Sequence, residues 1–281
     1  MRALSAAPTL ILLVSQGFFA ALSAQDMRKV TEPSIPPACS TLQAKIGRAG
    51  MSIALEDETK LDTQRIQAAI DACPPGRAVV LRRASARTDA FLSGPLNLRR
   101  GVVLVVDRGA YLFASRNPRD YDRTPGVCGT ITEDGHGCKA LINGDDVPDS
   151  GVMGDGVIDG RGGETILGQN ITWWNLADQA RAGGSQNNPR LMVLNHCDNF
   201  VLYRITLMNS PNFHVGYRPG PRCGVRRRLH PRHGQSGKST NLPPQAFFGS
   251  FCPIFRLGDR ATVRPRCSIL VRARSWSRMG L

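Results

Sequence analysis

Short apolar runs separated by polar corners fill residues 187–215. Four runs of three or four residues, rich in leucine, β-branched and aromatic side chains, lie at 191–194, 201–203, 205–207 and 213–215. Asparagine, aspartate, serine and proline, which favour turns, are concentrated between them. Strands this short cannot each bury a face alone, so their repetition indicates coils that cover one another. The pattern predicts an all-β fold, a right-handed parallel β-helix.

The same pattern continues upstream. Apolar runs predict strands at residues 78–81, 91–98, 102–106 and 110–114. A further strand is expected inside residues 154–163, where glycines allow tight corners between stacked coils. Residues 123–149 are mostly polar, and we expect them to form one long loop.

One helix is expected before these strands. Asp62 or Thr63 can act as its N-cap, and two prolines and a glycine at residues 74–76 end it. The apolar positions that share one face at helical spacing are Ile66, Ala69, Ile70 and Cys73.

Several of these segments resemble the polygalacturonases of glycoside hydrolase family 28. They are D-x-x-x-I-Q-x-A-I-D-x-C at 62–73, F-L-S-G-P-L at 91–96, G-x-G-x-I-D-G-x-G at 154–162 with a tryptophan pair at 173–174, and N-S-P-x-x-H at 209–214. The resemblance covers about residues 38–215, the N-terminal portion of such a protein. It implies that the helix caps the first coil. It also implies an inverting, cofactor-free hydrolase that cleaves the α-1,4-galacturonosyl bonds of pectin.

Hydrolysis of a glycosidic bond usually needs two carboxyl groups, an acid and a base. In the family, Asn-Thr-Asp, Gly-Asp-Asp, Gly-His-Gly and Arg-Ile-Lys follow the Asn-Ser-Pro run, and the sequence after residue 215 lacks this series. Gly-His-Gly at 135–137 and the acid pair at 145–146 precede the run, so we interpret them as loop and turn residues. Asp259 follows it, but Arg260 occupies the second acid position. We therefore assign no catalytic residue, keep Asp259 as a relic candidate, and predict that this chain is inactive.

His214 and Asn209 are the candidate substrate-binding residues. His214 either faces the substrate groove or satisfies a coil corner, and Asn209 either contacts sugar or bonds backbone at a corner. The resemblance implies pectin, polygalacturonate or a related acidic polysaccharide as the partner, because basic side chains of the family bind a polyanion.

The net charge of +14 is unevenly distributed. Residues 1–217 contain 22 Lys and Arg against 21 Asp and Glu, whereas residues 218–281 contain 14 against one. The latter segment shows neither strand alternation nor a helical period, and its composition is that of a GC-rich gene read out of frame. We expect residues 218–281 to be a disordered or frameshifted tail.

Charge leaves two other functions open. One is a non-catalytic secreted module that binds polyuronate or another polyanion. The other is nucleic-acid binding by the tail, against which predicted export and the lack of a recognised nucleic-acid motif both argue. We expect no nucleic-acid partner.

The N-terminus predicts secretion. Arg2 precedes an apolar run at 10–21, and small residues near 21–24 resemble a cleavage site, so residues 1–24 are interpreted as a signal peptide. The run is too short to span a bilayer comfortably. We expect an extracellular monomer without membrane attachment.

Export places the eight cysteines in an oxidising compartment. Cys39 and Cys73 flank the helix, and Cys128 and Cys138 bracket a polar loop, so we expect these two disulfides, although spacing leaves other connectivities open. Cys197 is expected to be a buried free thiol. The sequence contains no C-x-x-C pair and no histidine cluster at ligand spacing, so no structural metal is expected.

Overall fold

A computed structural model of the chain describes residues 32–218. In this part, most strands belong to three sheets. Sheet I contains, in spatial order, β1 (Ala38–Gln43), β4 (Arg77–Arg82), β7 (Val102–Val106), β11 (Gly151–Met153) and β15 (Val201–Tyr203). Sheet II contains β6 (Leu96–Asn97), β10 (Ile142–Asp145), β14 (Met192–Asn195) and β17 (Val215–Arg218). Sheet III contains β5 (Ala90–Ser93), β8 (Tyr111–Ala114), β12 (Val157–Asp159) and β16 (Thr206–Met208).

The other described elements lie beside these sheets. Two antiparallel pairs join β2 (Arg48–Ala49) to β3 (Ser52–Ile53) and β9 (Ile131–Thr132) to β13 (Ser185–Gln186). The α-helices are α1 (Thr63–Ala72) and α2 (Trp173–Ala180). Within residues 32–218, no helix is long and apolar enough to cross a membrane.

The chain visits the three sheets in a fixed order. From β10 in sheet II it passes to β11 in sheet I, to β12 in sheet III and back to β14 in sheet II. It then repeats this path through β15, β16 and β17, and the strands within each sheet pair in parallel. The prediction of a parallel β-helix is confirmed.

Consecutive coils stack with their apolar positions aligned. Ile142 lies opposite Met192, and Gly144 lies opposite Leu194. Ile142, Met192 and Leu194 are all buried, whereas the alternate position Asn143, opposite Val193, points outward and is only half-buried. Buried positions therefore stack on buried positions inside the coils, and three hydrophobic clusters form the core of the described residues.

Strand existence was predicted better than strand ends. β7 and β15 have the predicted bounds, β4 is one residue longer than predicted at each end, and β8 begins one residue later than predicted. The predicted strand at 91–98 is divided into β5 and β6 by a bend at Gly94.

The prediction of a continuous loop over residues 123–149 was wrong. Residues 142–145 form β10, a central strand of sheet II that pairs with β6 and β14. Its sequence, Ile-Asn-Gly-Asp, contains one β-branched apolar residue, so its local β propensity is low. The neighbouring coils, through their hydrogen bonds, impose the extended conformation.

Three further elements were missed or misplaced. β17 begins at Val215 and not at Phe213, whose carbonyl accepts hydrogen bonds from the Ser210 hydroxyl and the Leu191 amide at a corner. β1 lies before the predicted helix, where we named no strand. α2 begins at a capping box in which Thr172 and Asn175 bond each other's backbone amides.

α1 lies along the outer edge of sheet II. Ile66 and Ile70 are fully buried, as the helical spacing predicted. The Gln67 amide accepts a hydrogen bond from the Asn97 backbone N–H (2.8 Å) and donates one to the Asn97 carbonyl (3.0 Å). One side chain thereby satisfies both backbone groups that β6 would otherwise offer to another strand.

The two disulfides join the pairs named from the sequence. Cys39 in β1 is bonded to Cys73 at the end of α1, and Cys128 is bonded to Cys138 across the loop before β10. Cys197 is a buried free thiol, and burial raises its pKa.

Replacing Gln67 with alanine should destabilise the protein by about 1–2 kcal/mol, because both backbone groups of Asn97 lose their partner. Urea unfolding of the full chain measures the change. Gln64→Ala, on the exposed side of the same helix, should change stability by less than about 0.5 kcal/mol. Equal effects of the two substitutions would show that the amide does not seal the strand.

Candidate functional site

Asn209 joins two consecutive coils at the corner after β16. Its backbone is left-handed (φ 50°). Its side-chain amide donates to the Asp159 carboxylate at the end of β12 (2.9 Å), and its backbone carbonyl accepts from the Gly162 N–H (2.7 Å). Asp159 is only 2% exposed, and this burial raises its pKa. Its other oxygen accepts from the Arg161 N–H, so the carboxylate is held by the corner.

The same arrangement recurs along the coils. Asn195 donates to Asp145, and Asn199 donates to Asp149, each over 2.8 Å. In these pairs, as in Asn209 with Asp159, the two residues are 50 positions apart in the sequence. These three amide–carboxylate bonds, which we call the corner ladder, hold successive coils in register.

Asn209 also lines a groove of about 430 Å³. Trp174 in this groove is 45% exposed, with its indole N–H bonded to the Ser210 carbonyl and its ring lying against Gly162 and Gly163. The remaining lining residues are Met51, Ser52, Arg161 and Glu164. The groove therefore combines an exposed aromatic ring with a charged wall.

The charged wall is an ion-pair network centred on Arg161. Its guanidinium has no exposed surface and bonds both Glu58 (3.0 Å) and Glu164 (2.7 Å). Arg116 pairs with Glu58 as well (2.8 Å), and the Ser52 hydroxyl donates to Glu164 (2.8 Å). These carboxylates are engaged with cations, so their geometry supports the structure and does not suggest acid–base catalysis.

His214 lies in the bend before β17 and is not among the groove-lining residues. It is half-buried, and burial lowers its pKa, which favours the neutral imidazole. Of the two candidate residues, Asn209 therefore lines the groove, and His214 directly precedes the last described strand of sheet II.

Arg190 lies near the outward face of sheet II, and two arginines from distant parts of the sequence act on its charge. The Arg190 side chain lies over Gly216 of β17, with its Cδ 3.5 Å from the point that a Cβ at residue 216 would occupy. Burial, and the nearby charges of Arg218 and Arg123, lower the pKa of Arg190. We call Arg123, Arg190 and Arg218 the arginine cluster. Sequence reasoning missed it, since only the coil register brings these residues together.

The histidine of the Gly-His-Gly run at 135–137 and both acids of the pair at 145–146 are exposed. His136 is in the loop closed by Cys128 and Cys138, and Asp146 occupies a left-handed corner (φ 48°) directly after β10. Asp259 lies outside the described residues.

Comparison with known proteins identifies the relatives. Residues 113–221 match the family described as glycosyl hydrolases family 28. A polygalacturonase from Ralstonia nicotianae is 47% identical over 199 residues, which cover 66% of this chain and 38% of the relative. An endo-polygalacturonase from Pectobacterium parmentieri is 40% identical over 204 residues, covering 72% of this chain and 47% of the relative.

The solved polygalacturonase from Erwinia carotovora ssp. carotovora has the same coil arrangement. It superposes with a TM-score of 0.60 at 38% identity, over 69% of this chain and 49% of its own. The described coils are homologous to the family 28 glycosyl hydrolases. The chain spans less than half the length of these relatives.

In this β-helix, the segments that carried the resemblance take structural positions. The I-D-G run supplies β12 and the Asp159 corner, and the tryptophan pair begins α2. Trp173 is fully buried while Trp174 opens to the groove. The segments that carried the resemblance therefore form corners and packing contacts. The arginine cluster is a separate feature, in which positive charge is concentrated.

Replacing Arg161 with methionine should destabilise the β-helix by about 3–5 kcal/mol, because buried Glu58 would keep only Arg116 of its two arginine partners and Glu164 would lose its 2.7 Å ion pair. Thermal or urea unfolding measures the loss. The control, Arg82→Met, removes an exposed pair with Asp107 and should cost less than about 1 kcal/mol. A small loss at Arg161, equal to that of the control, would contradict a structural role for the network.

His214 should make the protein less stable in mild acid. A lowered folded-state pKa means that the unfolded chain binds the proton more tightly, so the stabilisation is fully present above pH 6.5 and is lost as pH falls through the folded-state value. His214→Gln should flatten this dependence between about pH 7 and 5, as measured by melting temperature. His136→Gln controls for loss of a histidine from an exposed loop. An unchanged pH profile in His214→Gln would contradict the assignment.

Proposed function

We propose that this chain is the N-terminal part of a secreted polygalacturonase-type β-helix and that its partner is polygalacturonate. The observation that carries the proposal is the 47% identity to a polygalacturonase over 199 residues, together with a solved polygalacturonase of the same fold. In the full-length parent, the reaction is inverting hydrolysis of α-1,4-galacturonosyl bonds. We take the coils as right-handed, α1 as their cap, and the protein as an extracellular monomer.

The chain as written binds the polysaccharide without cutting it. Inverting hydrolysis requires an acid and a base with carboxyl groups about 6.5–9.5 Å apart. The carboxylates at the groove are committed, since Asp159 is bonded to Asn209 and Arg161, and Glu164 is paired with Arg161. The family motifs that follow Asn-Ser-Pro are replaced in this sequence by the basic segment 218–281.

A non-catalytic polyanion-binding module is the second candidate. The arginine cluster favours it, because three guanidinium groups near the outward face of a sheet attract anions by charge alone. The two functions differ in selectivity. A module that binds through charge alone would hold heparin or DNA as well as polygalacturonate, and its affinity would fall steeply with salt.

An assay of the full chain on polygalacturonate tests both parts of the proposal. We expect retention of the chain on a polygalacturonate gel and no release of reducing ends, while the Pectobacterium parmentieri endo-polygalacturonase releases them under the same conditions. Fully methyl-esterified pectin is the binding control, because it lacks free carboxylates. Released reducing ends would overturn the inactive assignment, and equal retention on heparin and polygalacturonate at every salt concentration would favour the polyanion module.

A further inference from the structure

We propose that the groove around Trp174 is a binding site for a neutral sugar ring, which stacks on the exposed indole and donates a hydroxyl to Glu164. The inference goes beyond the proposed function, because its ligand is a neutral pyranose and not an acidic polysaccharide. The groove is lined by the β2–β3 pair, the corners after β12 and β16, and the start of α2. None of the lining residues named above belongs to a strand of sheet II.

The Trp174 ring is held in place by the backbone around it. Its backbone N–H donates to the Gly162 carbonyl (3.2 Å), and its indole N–H donates to the Ser210 carbonyl (3.0 Å). The six-membered part of the ring lies against Gly163, where Cε3, Cζ3 and Cη2 come within 3.2 Å of the point that a Cβ would occupy. Trp174 is nevertheless 45% exposed. Because the ring is already fixed, little conformational entropy is lost when a ligand covers it.

A fixed and half-exposed indole suits a sugar ring. The C–H bonds on the face of a pyranose carry a small positive charge, and the face of an aromatic ring is negative, so the two attract each other. Stacking also removes apolar surface of Trp174 from water, together with surface of Met51, which lines the groove and is 57% exposed. The groove of about 430 Å³ lies within the usual size range of small-molecule sites, about 300–1,000 Å³.

The charge that the groove presents to solvent favours a neutral ligand. The Arg161 side chain has no exposed surface, whereas the Glu164 side chain is 28% exposed. A uronate would bring a second carboxylate towards Glu164 and be repelled, but a neutral sugar would not. Within residues 32–218, Glu164 accepts three hydrogen bonds, two from Arg161 and one from Ser52. A carboxylate offers about four acceptor sites, so one remains for a charge-assisted bond from a sugar hydroxyl.

Isothermal titration of the full chain with β-1,4-galactotriose tests the site, and cellotriose is the second neutral ligand. Trp174→Ala should weaken binding about tenfold or more, because the stacking surface is lost, and Trp174→Phe should restore part of the affinity. Phe213→Ala removes another exposed aromatic ring, which does not line the groove, and should leave the affinity within about twofold. Melting curves show whether each variant is folded.

The outcomes separate this site from the proposed function. Binding of either neutral trisaccharide that depends on Trp174 supports the site, and the tighter ligand of the two indicates the sugar class. No binding of either sugar, or equal losses in Trp174→Ala and Phe213→Ala, would overturn it. Trigalacturonate that displaces galactotriose as well as cellotriose does would show that the groove holds the acidic substrate, and the neutral-sugar assignment would be wrong. Trp174→Ala should still be retained on a polygalacturonate gel, whereas failure of the unchanged chain to be retained would overturn the proposed function and leave this site standing.

Discussion

The backbone pairing of each coil with the coils on either side is the constraint on which this structure depends. A strand of two to six residues has little stability alone, and its N–H and C=O groups are satisfied only by parallel neighbours. Register is therefore decisive, because a slip of one residue would turn Ile142 and Met192 outward. The corner ladder opposes such a slip. Each asparagine amide reaches the acid of the previous coil only when the offset is correct.

Where neighbouring coils cannot supply partners, side chains do so. Gln67 bonds both backbone groups of Asn97 at the outer edge of sheet II. Arg161 ties the segment around Glu58 to the corner after β12, far along the sequence. The magnitudes differ. Breaking a buried pair costs about 3–5 kcal/mol, because one charge remains unpaired in the interior, whereas an exposed pair such as Arg82 with Asp107 contributes less than about 1 kcal/mol. The N-terminal segment thus depends on a few buried contacts more than on the many exposed ones.

The sequence predicted what local chemistry determines. The apolar runs of β7 and β15 have their observed bounds, and α1 has its two buried isoleucines. Other features depend on residues that are remote in sequence. β10 looked like loop because its extended conformation is imposed by β6 and β14 and not by its own Ile-Asn-Gly-Asp sequence. The arginine cluster was invisible for the same reason. Its members stand in a loop, before β14 and at the end of β17, and only the stacking of coils unites them.

This dependence on stacking also explains how binding and chemistry become separable in such a fold. A surface assembled from several coils exists as soon as those coils are formed, and the arginine cluster needs only the loop before β10 and the strands β14 and β17. A catalytic acid and base must instead lie on either side of the scissile glycosidic bond, and their carboxyl groups must be free to exchange protons. Here the Asp159 carboxylate is bonded to Asn209 of the corner ladder, and the Glu58 and Glu164 carboxylates are bonded to Arg161. Uniform attraction for a polyanion lowers the energy of the bound state without stabilising a transition state, so a basic surface alone does not accelerate hydrolysis.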